Sequence, residues 1–175
     1  MLCVGLFGTC GKSIWRERFI QEYNELGISY FNPQVADWKP ELAVEEARHL
    51  AEDQVILFPV TGETYGLGSL AETGFSIVNA LRLDDYRDFV IIIEMALDPS
   101  LSDKGMREES LRGRRLVTEH LKKLCLSNLY VVNTLDEMLE VSIALYQAAA
   151  LKAPYAMYNP HRRQGGILGE KNEKL

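Results

Sequence analysis

The chain has 175 residues, 47% of them hydrophobic and 25% charged, which is the composition of one globular domain with enough apolar material for a complete core. Its formal net charge of −6 at pH 7 argues against broad attraction to a nucleic-acid backbone, which requires clustered lysine and arginine. The three cysteines are scattered and no apolar run approaches the roughly 20 residues that span a bilayer, so we predict a cytoplasmic protein without disulfides.

Apolar, strand-like runs alternate with amphipathic stretches along most of the chain. The runs cover residues 2–7, 29–31, 55–60, 89–93 and 129–132. A weak second helix is predicted for about residues 40–52, because Pro40 suits a first helical turn. Four further stripes have helical spacing: Trp15, Phe19, Tyr23 and Leu26; Leu70, Gly74, Ile77, Val78 and Leu81; Val117, Leu121 and Leu124; and Leu135, Leu139, Ile143 and Tyr146.

This alternation predicts an α/β fold in which helices cover both faces of a five-stranded parallel sheet. The simplest right-handed winding is flavodoxin-like, a Rossmann-like three-layer sandwich with the strand order 2-1-3-4-5. It places the turns after strands one and three side by side at the carboxyl edge, where ligands bind. We assign residues 1–152 to this domain and residues 153–175, where the periodicity stops, to a tail.

The turn after the first strand is rich in glycine and leads into a helix. It reads Gly8-Thr9-Cys10-Gly11 and continues with Lys12-Ser13, but it is not a triphosphate-binding loop, because Leu6 stands where that motif requires its first glycine. Two interpretations remain. The turn offers backbone N–H groups to an anion or a sugar hydroxyl, or it needs glycine only for steric reasons.

Polar and aromatic side chains follow the second strand. Asn32, Asp37 and Trp38 leave the sheet together, and an aromatic ring beside polar groups suits a nucleobase. Asn32 precedes Pro33, and this dipeptide is also a common way to begin a turn.

The turn after the third strand, residues 61–74, is longer than a structural connection of about 2 to 6 residues. We expect Glu72 in the first turn of the following helix, about 200° round from Leu70 and therefore away from the core. An alternative is structural: Ser69 and Glu72 match the Ser-x-x-Glu capping box, as do Thr134 and Glu137.

Taken together, these turns resemble the nucleoside 2-deoxyribosyltransferase-like family over roughly residues 2–150. The most specific matches are Gly8-Thr9-Cys10-Gly11 with Trp15-Arg16; Phe31-Asn32-Pro33 with Asp37-Trp38; and the stretch from Asp53 through Leu57-Phe58 to Leu70-Ala71-Glu72-Thr73-Gly74. The family exchanges nucleobases on deoxyribose or frees the base from nucleotides. Its glutamate nucleophile corresponds to Glu72, and its first turn lies under the sugar.

The resemblance implies an enzyme that cleaves or transfers an N-glycosidic bond through a covalent glycosyl-Glu72 intermediate. A second group must protonate the departing base. Asp37 is our first candidate, with Glu63 and Glu94 as alternatives, and Tyr65 is available to orient Glu72. The expected substrate-binding residues are Gly8, Thr9, Cys10, Gly11, Trp15, Asn32, Trp38, Glu63, Gly66, Gly68 and Ser69.

The chain departs from the family at two positions. Gly66 stands where hydrolase members carry a serine that holds a 5′-phosphate, and Glu63 is displaced from the aspartate that transferases often carry. Transfer and hydrolysis therefore stay open, as do the sugar, the base and the phosphate. A non-catalytic nucleotide-sensing module and an NAD-cleaving hydrolase are the alternative functions.

The remaining expectations concern metals, charge and assembly. The histidines and cysteines show no ligand spacing, so we expect neither a metal nor a cofactor. The resemblance suggests a homo-oligomer in which the tail covers a neighbour's crevice. The one basic cluster outside the tail reaches a phosphate or a neighbouring subunit, or it is a solvated helix face; its members are Arg107, Arg112, Arg114 and Arg115.

Overall fold

Five parallel strands form a single sheet in the order β2-β1-β3-β4-β5. The structure is a computed structural model that describes residues 1–35, 39–82 and 87–158, with the backbone alone for 75–82. The predicted fold and strand order are confirmed. The strands are β1 (Val4–Leu6), β2 (Tyr30–Phe31), β3 (Val55–Val60), β4 (Asp88–Ile93) and β5 (Leu129–Val131).

A helix follows each strand. The helices are α1 (Trp15–Leu26), α2 (Leu42–Glu52), α3 (Leu67–Arg82), α4 (Lys104–Leu121) and α5 (Leu135–Lys152). The expectation that Pro40 lies in the first turn of α2 is wrong, because Pro40 belongs to a preceding turn in which its carbonyl accepts from Ala43 N at 3.1 Å. None of the helices that the structure describes is long and apolar enough to cross a membrane.

The two faces of the sheet bury separate apolar cores. In β3, Val55 and Leu57 point to one face, while Ile56 and Phe58 point to the other, as the two-residue period of a strand requires. The first core packs against α1 and α5. The second core takes up residues of α2, α3 and α4, so these three helices share a face of the sheet.

The turns after β1 and β3 are in direct contact. Thr9 N donates to Pro59 O at 2.8 Å, and Thr61 N donates to Thr9 Oγ1 at 2.9 Å. Gly8 makes this approach possible, since its φ of 88° is left-handed and a Cβ would lie 2.4 Å from Pro59 O. Glycine is therefore a steric requirement at Gly8, as one of the two interpretations of this turn holds.

A buried arginine holds the first turn. Arg16, on α1, is 2% exposed and donates to the carbonyl oxygens of Leu6, Phe7 and Thr9 at 2.9, 3.3 and 2.7 Å. Its guanidinium also lies 4.5 Å from the ring centroid of Trp15. These carbonyls lie at the end of β1 and just after it, and one guanidinium donates to all three.

A second buried arginine holds the third turn. Arg114, on α4, is fully buried and donates to the carbonyl oxygens of Val60, Glu94, Thr61 and Thr64 at 2.7 to 3.0 Å. Both interpretations of the basic cluster are therefore wrong for Arg114. Arg107 likewise donates to Asp98 O and Leu101 O, at 2.8 and 2.9 Å.

The tail begins with regular structure. Ala153–Tyr158 form a 3₁₀ helix directly after α5, and none of these six residues is buried. The rest of the tail, 159–175, lies outside the described residues.

The role of Arg114 can be tested by its removal. Arg114→Ala leaves several buried carbonyls without donors and should lower the free energy of unfolding by about 3 kcal/mol in urea denaturation. Arg112→Ala is the matched control, because Arg112 lies two positions away with its side chain 71% exposed, and it should change stability by less than about 0.5 kcal/mol. Equal losses of stability in the two variants would contradict the conclusion that Arg114 holds the third turn.

Candidate functional site

Open space lies above the first turn at the carboxyl edge. Thr9 is buried, whereas Cys10 and Gly11 are exposed. Gly11 has a φ of 77°, and a Cβ there would meet no described atom within 4 Å. The N-cap residue of α1, Ile14, makes no side-chain capping bond, so no side chain of that residue occupies the N–H groups of the first turn.

Trp15 supports this turn from inside the protein. It is 5% exposed, packs edge-on against Phe19 and donates from Nε1 to Thr9 O at 3.0 Å. We expected Trp15 to contact substrate. The structure instead places the indole in the core, with its N–H donated to Thr9 O. The hydrogen bond from Trp15 holds the backbone of Thr9 in place.

The second turn is tied to the first by a glutamine that the sequence analysis missed. Gln34 donates from Nε2 to Gly11 O at 2.8 Å, and its Oε1 accepts from Arg16 at 3.1 Å. Asn32 Oδ1 accepts from Gln34 N at 3.0 Å, which agrees with its interpretation as a turn starter. The other two predicted residues of this turn, Asp37 and Trp38, lie outside the described residues.

The third turn ends earlier than predicted, because α3 begins at Leu67. Leu70 N donates to Gly66 O at 2.8 Å, the four-residue spacing of a helix. Ser69 is therefore inside α3 and cannot cap it. Glu72 is the sixth residue of the helix, in its second turn, so both its expected place in the first turn and its capping alternative are wrong.

The second capping box shows what such a motif does when it lies at a helix start. Thr134 is the N-cap of α5, and its Oγ1 accepts from Glu137 N at 3.1 Å. The carboxylate of Glu137 accepts in turn from Asn133 N at 2.7 Å. Thr134 and Glu137 thus have a structural role, which Ser69 and Glu72 do not share.

Three other predicted acid–base residues have local partners. The hydroxyl of Tyr65 accepts from Asp103 N at 3.1 Å, at the start of α4, so the partner that the structure gives this hydroxyl is not Glu72. Glu94 Oε2 accepts from Gly62 N at 2.6 Å, which gives this carboxylate a structural role. Glu63 is exposed, and its Oε2 accepts from Thr61 Oγ1 at 3.1 Å.

The glycines of the third turn have different surroundings. Gly66 is buried with a φ of 65°, and a Cβ there would lie 2.8 Å from Nη2 of Arg114, so packing requires it. At Gly68 a Cβ would meet no described atom within 4 Å, and Gly68 is exposed. Ser69 is half-buried beside it. Gly68 therefore faces solvent among the described residues.

Glu72 is solvent-accessible, yet its carboxyl has a perturbed acidity. Partial burial and the negative charge of Glu46 raise the pKa of Glu72 above its ordinary value. Burial also raises the pKa of Glu46, and the positive charge of Arg16 opposes that rise. Glu46, on α2, is thus a charged residue that influences Glu72 and that the sequence analysis did not single out.

A separate polar cluster lies at the amino ends of β1 and β3. Ligand atoms of Cys3, His49 and Asp53 are within 4.8 Å of one another, and all three residues are buried. His49 Nδ1 lies 2.9 and 3.0 Å from the two carboxylate oxygens of Asp53, and the ring stacks on Phe31 at 3.7 Å. These residue types can ligate zinc, but hydrogen bonding already explains the arrangement of His49 and Asp53.

The motif resemblance stands without support from known relatives. Comparison of the sequence with protein-family models gives no match, and comparison with curated proteins gives none either. The family assignment therefore stays a prediction from the motifs.

The cysteines should differ sharply in reactivity. Burial and the neighbouring Asp53 raise the pKa of Cys3 to about 12, while Cys10 and Cys125 are exposed. In the folded protein at pH 8, Ellman's reagent should modify two thiols rapidly and the third only after unfolding in guanidinium. The variant Cys3→Ser should lose the slow thiol alone. Rapid reaction of all three thiols in the native protein would contradict the structure.

Proposed function

We propose that this protein is an enzyme that cleaves or transfers the N-glycosidic bond of a nucleoside or nucleotide, with Glu72 as the nucleophile. The observation that carries the proposal is the position of Glu72. It is accessible at the ligand-binding edge of the sheet, its pKa is raised, and no capping role explains it. The motif resemblance supplies the substrate class.

The reaction has two displacements. In the first, a carboxylate oxygen of Glu72 attacks the anomeric carbon; the bond from that carbon to the base nitrogen breaks, and its electron pair leaves with the base, which takes up a proton. In the second, water or another base attacks the same carbon, and the bond to Glu72 breaks. Each step has an oxocarbenium-like transition state, and two inversions retain the configuration.

The turns have distinct parts in this proposal. The proposed place of the sugar is the exposed backbone of the first turn at Gly11, where backbone N–H groups and the N-terminus of α1 could bind its oxygens. The base lies toward the second turn, whose proposed contacts are Asn32, Asp37 and Trp38. Asp37 remains our candidate for the proton donor, since Glu94 accepts a hydrogen bond from Gly62 and has a structural role.

The substitution Glu72→Gln tests the nucleophile. The amide is nearly isosteric but does not attack an anomeric carbon, so turnover should fall by at least about a thousandfold. Stability at pH 7 should not fall. A raised carboxyl pKa in the folded state means that ionisation opposes folding above that pKa, and glutamine removes this cost.

The substrates offered are nucleosides, nucleoside monophosphates and NAD, each with and without a second free base. Chromatography then measures the free base released by hydrolysis and the new nucleosides formed by transfer. Glu109→Gln, on the exposed surface of α4, is the control with the same loss of charge. A 2-fluoro sugar substrate should add the mass of one sugar to the Glu72 peptide of the wild type. If the wild-type protein binds a nucleoside or nucleotide but converts none of the substrates offered, the protein is a sensing module instead.

We also propose that the chain forms a homo-oligomer. Several large apolar side chains at the end of α5 and in the 3₁₀ helix are exposed, a pattern that favours contact with another surface. They are Leu151, Tyr155, Met157 and Tyr158, between 63% and 76% exposed. Light scattering should give at least twice the mass of 19.8 kDa, and deletion after Lys152 should reduce it. A monomer at assay concentration would refute the proposal.

A further inference from the structure

A cysteine, a histidine and an aspartate meet at the amino edge of the sheet. Cys3 directly precedes β1, His49 lies in the last turn of α2, and Asp53 is the C-cap residue of that helix. One ligand atom of each residue lies within 4.8 Å of those of the other two. All three residues are buried, and Asp53 is fully so. The cluster is therefore an interior feature of the corner between α2 and β3.

The cluster combines three types of atom that bind zinc. His49 Nδ1 lies 2.9 and 3.0 Å from the two carboxylate oxygens of Asp53, and Cys3 adds a sulfur to this pair. Zinc bonds to sulfur, nitrogen and oxygen of about 2.3, 2.0 and 2.1 Å, at tetrahedral angles, separate the ligand atoms by about 3.4 to 3.6 Å. The nitrogen–oxygen distances are about half an ångström shorter than this, and no separation exceeds it by more than about 1.2 Å. Small side-chain movements therefore bring the three atoms onto one ion.

The charge of the cluster favours a dication. Among the described residues, the one ion-pair partner of the buried Asp53 carboxylate is His49, which is a cation only when it is protonated. Arg87 lies nearby, but its guanidinium donates to backbone carbonyls, that of Asp53 included. A buried carboxylate beside a neutral imidazole leaves a negative charge that costs free energy. Zn²⁺ bound to one carboxylate, one thiolate and one neutral imidazole has no net charge, so its binding removes that cost.

The second ring nitrogen of His49 already has the partner that a metal-bound imidazole needs. Glu45 Oε1 lies 3.2 Å from His49 Nε2. The guanidinium of Arg48 contacts the Glu45 carboxylate and, at 3.0 Å, the same ring nitrogen. Imidazoles that bind a metal usually donate their other N–H to a carboxylate, which fixes the orientation of the ring. The ring of His49 is thus held with Nδ1 toward the cluster and Nε2 toward Glu45, and it stacks on Phe31.

The hydrogen bonds between His49 and Asp53 explain the arrangement of that pair alone. They account neither for the buried thiol beside it nor for the carboxylate at the far side of the ring. The spacing of histidines and cysteines gave no sign of this set, because one member is an aspartate and Cys3 comes from a different element. Glu72 follows β3 at the carboxyl edge, so an inference from this cluster does not depend on the proposed function.

We propose that Cys3, His49 and Asp53 form a zinc-binding site that joins the start of β1 to the corner between α2 and β3. Zn²⁺ forms bonds to Cys3 Sγ, His49 Nδ1 and one carboxylate oxygen of Asp53, and water takes the fourth position. The thiol proton passes to solvent. The imidazole proton is carried at Nε2 instead of Nδ1, and Glu45 accepts it. Because Phe31 of the two-residue strand β2 stacks on the same ring, the metal also stabilises this edge of the sheet.

Zinc binding can be measured on the full chain after treatment with a chelator and dialysis. Zn²⁺ alone is titrated in competition with a chromophoric chelator, and one ion should bind per chain. Cys3→Ser and Asp53→Asn should each weaken binding by at least about a hundredfold. Cys125→Ser removes an exposed thiol and is the control, which should bind as tightly as the wild type. A wild type that binds no zinc, undiminished binding by Cys3→Ser, or an equal loss in Cys125→Ser would overturn the inference.

The role of Glu45 has its own pair of variants. Glu45→Gln should weaken zinc binding by about ten- to a hundredfold, because the bound imidazole loses its carboxylate acceptor. Glu52→Gln is the matched control, since Glu52 also contacts Arg48, at 3.4 Å, and it should leave the affinity unchanged. Equal effects of the two substitutions would refute Glu45 as the partner of the bound imidazole.

Two further measurements leave all three proposed ligands in place, so they do not depend on the folding of a site variant. The double variant Cys10→Ser and Cys125→Ser keeps Cys3 as its one thiol, and with Co²⁺ it should show the near-ultraviolet charge-transfer absorption of a cobalt–thiolate bond. In the wild type, saturating Zn²⁺ should slow the alkylation of Cys3 by iodoacetamide at least about tenfold in guanidinium just below the unfolding midpoint, as measured by mass spectrometry of the Cys3 peptide. Absence of the cobalt–thiolate absorption, or an unchanged alkylation rate at Cys3, would overturn the site.

Discussion

The carboxyl edge of this sheet depends on guanidinium groups that donate to backbone carbonyls. Parallel strands that end in long turns leave carbonyl oxygens without a partner, and a buried polar group without a partner costs about 1 to 3 kcal/mol. Arg16 and Arg114 supply planar, multidentate donors at these two places, and all the partners that we find for Arg114 are neutral oxygens. Arg87 does the same at the other edge, donating to the carbonyls of Leu50, Ala51 and Asp53.

The hydrogen bonds from Arg16 and Arg114 to backbone carbonyls position the candidate site. Arg114 contacts four carbonyls across the third turn and β4, so the segment before α3 has little freedom, and the start of α3 is fixed with it. Arg16 fixes the first turn and, through Gln34, the start of the second. The carboxyl edge of the sheet is thus built from loops, yet its backbone is held in place by side chains from α1 and α4. Preorganisation of this kind is what electrostatic catalysis requires.

The sequence predicted the fold well because the fold depends on periodic burial. β3 was predicted at its observed bounds, and the strand order followed from right-handed winding. The start of α3 was misplaced, since Gly68 lowers helix propensity and the Ser69 motif resembles a cap, while the hydrogen bond from Leu70 to Gly66 extends the helix. Arg16 and Arg114 could not be recognised as interior residues, because an arginine beside other charges in sequence is ordinarily exposed.

The early start of α3 also bears on the acidity of the Glu72 carboxyl. A helix carries a permanent dipole whose positive end stabilises carboxylates in the first turn, and this effect fades within that turn. A glutamate at the N3 position of a capping box would be stabilised as the anion and would be a weaker base. Because α3 begins at Leu67, five residues before Glu72, the carboxylate lies beyond most of this stabilisation. The added helical turn therefore leaves Glu72 more basic than the local motif alone would suggest.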